Sequence, residues 1–350
     1  MKVLLLGSKI SFDKGGGPGM NTFFTELVPR LAKKTSITTL PHKNSILVNN
    51  RYINRFINSK TFDVIHDLEG VSNVRINKLN RRKLITHIHD IDILLLNKEV
   101  LFKKPNISNS VWFYLNKRNL MRKMENSKAI ISVSNQIKEL LIDFCEIEKQ
   151  KVFVVHHGVS KNFKPLNINH KKFIIGTLST MSPRKNPIML LNAFKIFNGM
   201  LNRKESKETE LYLYGNADNY TKKLLKNSAS KYKNIKIGGV LNHDRKVMFY
   251  NSLDIFSFPS IEEGFGMPIL EAQACGIPTV INGNGMFSEE IVKKCIKAYT
   301  EDNMADIFYK IFSRGIPKTE KISYIKHAKS FTWKKAAEQT LKVYKQVAVE

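Results

Sequence analysis

The chain has 350 residues, 42% hydrophobic and 25% charged, with 57 Lys+Arg against 30 Asp+Glu and a net charge of +27; the length predicts two domains and the composition excludes a disordered chain. No run approaches the roughly 18 uncharged apolar residues of a bilayer span, and the apolar start Met1–Leu6 breaks at Gly7, too short for a signal-peptide core. Cys145, Cys275 and Cys295 lie far apart, which argues against a disulfide framework or a structural zinc site and for a reducing cytoplasm, while the positive excess admits a nucleic acid, an anionic membrane surface or a phosphorylated small molecule as partner.

The opening Val3-Leu4-Leu5-Leu6-Gly7 reads as a buried parallel strand. The glycine-rich loop Gly15-Gly16-Gly17-Pro18-Gly19 follows. A helix comes next, with Phe23, Phe24, Leu27 and Leu31 on one face and Asn21 or Thr22 as cap. Further strands are predicted at 36–40, 62–66, 83–89, 129–133 and 151–155, with helical patterns between them. Residues 160–170 are polar and aperiodic and read as a linker, so the first domain is assigned 1–165. The alternation then restarts over 166–330, with strands at 172–176, 211–215, 234–238, 254–258 and 278–281 and helices at 187–199 and 218–231. Residues 331–350 form a final amphipathic helix, capped by Thr332, with Trp333, Ala337, Leu341 and Tyr344 on one face. Strand–helix alternation in both halves predicts an α/β protein of two doubly wound, Rossmann-like domains.

Four segments carry chemistry. In Glu262-Glu263-Gly264-Phe265-Gly266-Met267-Pro268-Ile269-Leu270-Glu271, a glycine loop leads from a strand into a helix whose amides can receive phosphate oxygens. Two carboxylates beside phosphate are costly unless they accept hydrogen bonds from neutral donors, and sugar hydroxyls fit that need. In Ser182-Pro183-Arg184-Lys185-Asn186, Arg184 and Lys185 stand near a strand end, where they can clamp a diphosphate. Gly16 and Gly17 let backbone amides approach a ligand closely, though the loop is neither GxGxxG nor a Walker A motif. In Thr86-His87-Ile88-His89-Asp90-Ile91-Asp92, His87 and His89 share one face of a strand. That segment admits three readings: a zinc site of two His with Asp90 or Asp92, a D-x-D metal motif, or a strand-end His89 facing a sugar.

The segment from Glu263 to Glu271, with seven residues between the two glutamates, resembles the E-x7-E signature of retaining glycosyltransferases of the GT-B fold, and family 4 above all. The resemblance covers nearly the whole chain and is most specific over 173–290. It implies two Rossmann-like domains facing across a cleft, an N-terminal acceptor domain, a C-terminal nucleotide-sugar donor domain, and a last helix returning to the first domain. It implies that Glu263 lies against the transferred sugar and Glu271 binds the ribose. Arg184, Lys185, Gly264, Phe265, Gly266, Gly16 and Gly17 would bind the donor, and His89 would face its sugar. Thr177 and Asn186 stand where the family usually has Arg and Gly, and His157 stands for its usual Asn.

The implied reaction moves a sugar from a UDP- or GDP-linked donor to an acceptor hydroxyl with retention, and needs no metal or other cofactor. The acceptor would be a carbohydrate or a lipid-linked glycan in polysaccharide or glycolipid synthesis. A sugar-nucleotide epimerase of the same architecture lacks this form of the glutamate motif. A nucleic-acid-binding module would carry a helix-turn-helix, RRM or zinc pattern, and none is found. Residues 1–165 carry +15 and the remainder +12, so the charge is not a basic tail. Trp112, Tyr114, Lys117, Arg118, Arg122 and Lys123 form a basic, aromatic stretch suited to peripheral binding of the cytoplasmic membrane face.

Overall fold

A computed structural model describes residues 1–8, 18–42, 50–70, 74–90, 94, 107–217 and 219–349. The chain divides into two compact units, Met1–Gly158 with Phe331–Glu350, and Val159–Ser330. The seven residues 159–165 thus join the second unit. The cause is local packing: Phe163 meets His243 and Tyr250 edge-on, and the Leu166 amide donates to Asn251.

The first unit runs β1 (Lys2–Ser8), α1 (Pro18–Ala32), β2 (Ser36–His42), α2 (Asn50–Asn58), β3 (Val64–Asp67), α3 (Lys78–Arg81), β4 (Leu84–Ile88), α4 (Ile107–Glu125), β5 (Ala129–Ser132), α5 (Asn135–Asp143) and β6 (Val152–Val154). Its sheet has the order β2-β1-β3-β4-β5-β6, with every pair parallel. Val3 to Leu6 are fully buried, as a central strand covered on both faces requires. α1 begins at Pro18, ahead of both expected caps; proline suits a first helical turn because its missing N–H would be unsatisfied there anyway. Phe23, Phe24, Leu27 and Leu31 are buried as their spacing predicts.

The second unit runs β7 (Phe173–Leu178), α6 (Pro187–Gly199), α7 (Arg203–Lys207), β8 (Thr209–Tyr214), α8 (Asn219–Ala229), β9 (Ile235–Gly238), α9 (His243–Asn251), β10 (Ile255–Phe258), α10 (Met267–Ala274), β11 (Thr279–Asn282), α11 (Glu289–Val292), β12 (Ile296–Ala298), α12 (Glu301–Arg314) and α13 (Lys318–Lys329). The sheet order is β12-β11-β10-β7-β8-β9, again all parallel. Its core joins Leu190, Phe194 and Phe197 of α6 to Met304 and Phe308 of α12 over the sheet residues Ile175, Leu211 and Val280. α14 (Trp333–Val349) then packs on α1 within the first unit. Thr332 Oγ1 accepts from the Lys335 amide at 3.2 Å, the cap expected from sequence.

Candidate active site

In doubly wound sheets, ligands bind beyond the carboxyl ends of the strands. In the second unit the loop after β7 and the loop after β10 meet there. The Ile261 amide donates to the Arg184 carbonyl at 2.8 Å, and the Glu263 amide to the Met286 carbonyl at 3.0 Å. The turn Pro183–Lys185 is a single 3-10 turn ending on Asn186, whose φ is +47°. Asparagine tolerates this left-handed conformation better than most residues, so it can stand where the resemblance implies glycine.

Arg184 Nη1 donates to both the carbonyl and Oε2 of Glu262, each at 3.0 Å. Lys185 Nζ pairs with Glu263 Oε1 and lies 5.4 Å from the Phe258 ring centre. Both glutamates are buried. The two cations and two carboxylates therefore form a compact neutral set, and each buried charge has a partner, as low polarity demands.

Gly266 precedes α10 with φ +87°, a conformation that strains any residue bearing a Cβ. Pro268 sits in the first turn, so the helix aims its positive N-terminal end back toward the Glu263–Gly266 loop. Gly215, with φ +142°, ends β8 so close to the β7 loop that a Cβ there would meet the Ser179 carbonyl oxygen at 1.7 Å. The close approach of the two strand ends depends on glycine.

Glu271 lies in the second turn of α10 and is buried. The Tyr250 hydroxyl on α9 donates to its Oε2 at 2.8 Å. Burial pushes the Glu271 carboxyl up, against the opposing pull of Lys246, Tyr250 and His243. Burial likewise drives the Tyr250 phenol well up, reinforced by the neighbouring Glu271, so it remains a donor. Thr177, on β7 where the resemblance implies arginine, has a buried hydroxyl with no hydrogen-bond partner among the described residues.

In the first unit, His89 follows β4 and is stacked on His87, ring centres 4.3 Å apart and planes 7° apart. Its Nε2 donates to the Leu68 carbonyl at 2.8 Å, which fixes the tautomer with Nδ1 as the acceptor nitrogen of the neutral ring. His87 Nδ1 meets His66 Nε2 at 3.3 Å, and His66 Nδ1 meets the Tyr344 hydroxyl at 2.7 Å. Phe23 packs against His87, His89, His157 and Trp333. Burial lowers the pKa of His89, His87 and His157, and brings His66 down to about 3, so the column is neutral at physiological pH.

Ring nitrogens of His87, His89 and His157 lie within 4.8 Å of one another, a composition that could hold a metal ion. Tetrahedral zinc needs nitrogens roughly 3.3 Å apart, with the ion in the plane of each ring. Rings stacked face to face cannot both point at one ion, so this arrangement reads as an aromatic column.

The structure thus brings Glu263, Lys185, Arg184, Gly264, Phe265, Gly266 and Glu271 into one unit around two adjoining loops and α10. His89 belongs to the other unit. Gly16, Gly17 and Asp92 lie outside the described residues. Sequence reasoning gave no role to Glu262, Tyr250 or His157. Tyr250 lies on a helix absent from the predicted elements, and no local spacing links it to Glu271. Of the basic stretch on α4, Lys123 turns inward: it is buried and pairs with the buried Asp67 at 2.6 Å. Lys117 bends to the Leu94 carbonyl. Val111, Tyr114, Leu115, Arg118 and Arg122 are exposed. The side chain of Trp112 is outside the described set.

Comparisons with known proteins bear on the family and the fold. Residues 159–328 match the family model for group 1 glycosyl transferases, and residues 18–163 match that for glycosyltransferase family 4. The serotype-specific mannosyltransferase WbdA of Escherichia coli is 26% identical over 210 residues, 57% of this chain and 25% of that protein. The chain therefore matches only about a quarter of the length of that curated relative. An uncharacterized glycosyltransferase of Methanocaldococcus jannaschii, MJ1178, is 26% identical over 90% of this chain and 86% of its own length. Among solved structures, a sucrose-phosphate synthase from Thermosynechococcus elongatus superposes with a TM-score of 0.74 at 13% identity, covering 100% of this chain and 99% of its own. Anabaena HepE, solved with UDP-glucose, gives 0.72 at 14% identity, covering 99% of this chain and 100% of its own. With its two halves matched by these two family models, the chain belongs to the family 4, group 1 glycosyltransferases.

Proposed function

We propose that the protein transfers a sugar from a nucleoside-diphosphate donor to an acceptor hydroxyl with retention at the anomeric carbon, without a metal. The observation that carries this reading is the pairing of two buried glutamates with two cations around the start of α10. Arg184, Lys185 and the α10 N-terminus would stabilise the departing diphosphate, the role a metal plays elsewhere. Glu271 would accept hydrogen bonds from the ribose hydroxyls. Glu263 would orient the sugar and offset positive charge on an oxocarbenium-like transition state, with Lys185 shifting from carboxylate to phosphate as the donor enters. His89 would present Nδ1 as a neutral acceptor toward the donor sugar, its ring held by Leu68 and His87.

The partial likeness to mannosyltransferases and the likeness in fold to a UDP-glucose complex favour a UDP- or GDP-linked donor and a carbohydrate acceptor in surface-polysaccharide synthesis. No helix among the described residues is long and apolar enough to cross a membrane. Cytoplasmic placement with peripheral contact through the exposed Tyr114, Leu115 and Arg118 of α4 suits a lipid-linked acceptor. The test is ligand-induced thermal stabilisation by UDP, GDP and ADP in wild type and Glu271→Ala. One nucleotide should raise the wild-type midpoint by several degrees and the variant's by little. No shift with any of the three would overturn the donor-site reading.

A further inference from the structure

Residues 74–81 lie as a strap between α2 and α4 in the first unit, apart from the residues given to donor binding. Val74 and Ile76 anchor it in the core beside Ile53 and Ile57. A ladder of amides sets its register on α2. The Arg75 amide donates to Asn50 Oδ1 at 2.6 Å, Asn54 Nδ2 to the Arg75 carbonyl at 2.8 Å, the Asn77 amide to Asn54 Oδ1 at 2.8 Å, and Asn80 Nδ2 to Asn58 Oδ1 at 2.9 Å. On the α4 side, Arg75 Nη2 donates to Asn119 Oδ1 at 3.1 Å, and Arg81 Nη1 to Asn126 Oδ1 at 2.6 Å.

Two open surface grooves, of about 770 and 390 Å³, flank the strap and share Arg75, Ile76 and Arg81 as their common wall. Arg51, Arg55, Arg75, Lys78, Arg81 and Arg122 line them, and Glu125 is the only carboxylate among the lining residues; Lys123, also at the wall, is neutralised by Asp67. None of those six cations makes a salt bridge among the described residues. Where partners appear they are neutral: Arg75 and Arg81 meet amide and carbonyl oxygens only. Guanidinium groups fixed by neutral acceptors keep their full charge and most of their five N–H donors. Arg184, Lys185 and Lys123, which are buried or partly buried, meet carboxylates, whereas of these six cations only Arg81 is partly buried and the other five are exposed. Six cations gathered on one surface with a single carboxylate among them suit a multivalent oxyanion. Forked guanidinium donors match phosphate oxygens.

We propose that this double groove binds a phosphate-bearing anion, a phosphomonoester or diphosphate, on Arg75 and Arg81. The source is a lipid headgroup or a soluble phosphate compound. The test uses the full chain carrying Lys185→Ala, which removes the donor-side lysine from competition. Inorganic pyrophosphate is titrated calorimetrically into this protein, into the same protein with R75Q and R81Q, and into a third with R55Q and K78Q. The last pair lies outside the amide ladder and keeps the test decisive if the strap pair fails to fold. Each folded pair should weaken binding about tenfold or more. No pyrophosphate binding to Lys185→Ala, or unchanged affinity in the pairs that fold, overturns the site. A parallel co-sedimentation compares phosphatidylcholine vesicles with and without phosphatidic acid. Retention that depends on the same arginines assigns the headgroup. Pyrophosphate binding without such retention assigns a soluble phosphate.

Discussion

Glu263 and Glu271 are both buried, yet they are held differently. Glu263 is salt-bridged to Lys185, whereas Glu271 accepts one phenolic hydrogen bond and feels Lys246 and His243 only through space. A group that acts only in the transition state lowers kcat when removed. Glu263→Ala should therefore lower kcat by about a hundredfold or more while nucleotide affinity changes little. A loss of only two- or threefold in steady-state turnover would sink its role. For Glu271 the sign follows from burial. Its folded-state pKa is raised, so the folded protein holds the proton longer than the unfolded chain, and this group's contribution to stability falls as pH rises through the raised value. Binding of ribose hydroxyls needs the ionised form. Nucleotide affinity should therefore fall on acidification while still above the ordinary glutamate value of about 4.3. Calorimetric titration of UDP and GDP across that range should find the acid limb in wild type and a flat, weaker profile in Glu271→Gln. A limb that persists in the variant assigns it to another group.

At the scale of elements, one carboxylate ties β8 to β9 and to the residue that leads into β7. Glu210 on β8 accepts from Lys172 Nζ at 2.6 Å, the Tyr212 hydroxyl at 2.7 Å and Lys236 Nζ at 2.9 Å. Burial alone would raise its pKa, but these three donors bring it down to about 2. The depressed value means stability that is present above about pH 4.3 and is lost as pH falls toward 2. Both lysines are about half exposed, which limits the gain to about 1 kcal/mol. Chemical denaturation should find Glu210→Gln about 1 kcal/mol less stable at neutral pH and indistinguishable from wild type near the acid end. An equal deficit at both pH values would assign the effect to packing.

The elements differ in how far the sequence announces them. Pro187 at the first turn and apolar residues through Phe197 mark α6 to the residue. The strand VLLLG and the glutamate loop are equally plain, since each rests on local pattern and backbone chemistry. β12 has only three residues and is placed by its pairing with β11, so nothing local marks it. Of the histidine column, only the pairing of His87 with His89 is legible in local spacing. His66 and His87 become neighbours through the parallel pairing of β3 with β4, and Tyr344 reaches them from a helix 278 residues away. The role of Tyr250 is hidden for the same reason. A spacing rule can find two glutamates on one loop and helix, but not the phenol that a different helix brings to one of them.

At the scale of the molecule, the chain path makes the two units unequal as folding units. Val159–Ser330 is continuous, with its own sheet and a core running from α6 to α12. The first unit is interrupted and completed only by α14. That helix buries Trp333, Ala336, Ala337, Thr340, Val343, Tyr344 and Val347. It covers Phe23 through Trp333 and hydrogen-bonds His66 through Tyr344. A Cβ on Gly158 would meet the Trp333 amide nitrogen at 2.1 Å, so the chain ends of this unit touch backbone to backbone. Each large apolar side chain of α14 contributes about 1.5–3 kcal/mol by burial, and together they approach the 5–15 kcal/mol of a whole domain. Without α14 the fully buried His66 also loses its hydroxyl partner. A fragment of residues 159–330 should therefore unfold cooperatively in denaturant, whereas a fragment of residues 1–158 should bind ANS and give no sharp transition. Adding a peptide of residues 331–350 should restore a transition to the second fragment, and Tyr344→Phe in that peptide should weaken the restoration by about 1 kcal/mol. Cooperative unfolding of residues 1–158 alone, at the stability of the intact chain, would mean that α14 is an accessory helix and that the first sheet closes its own core.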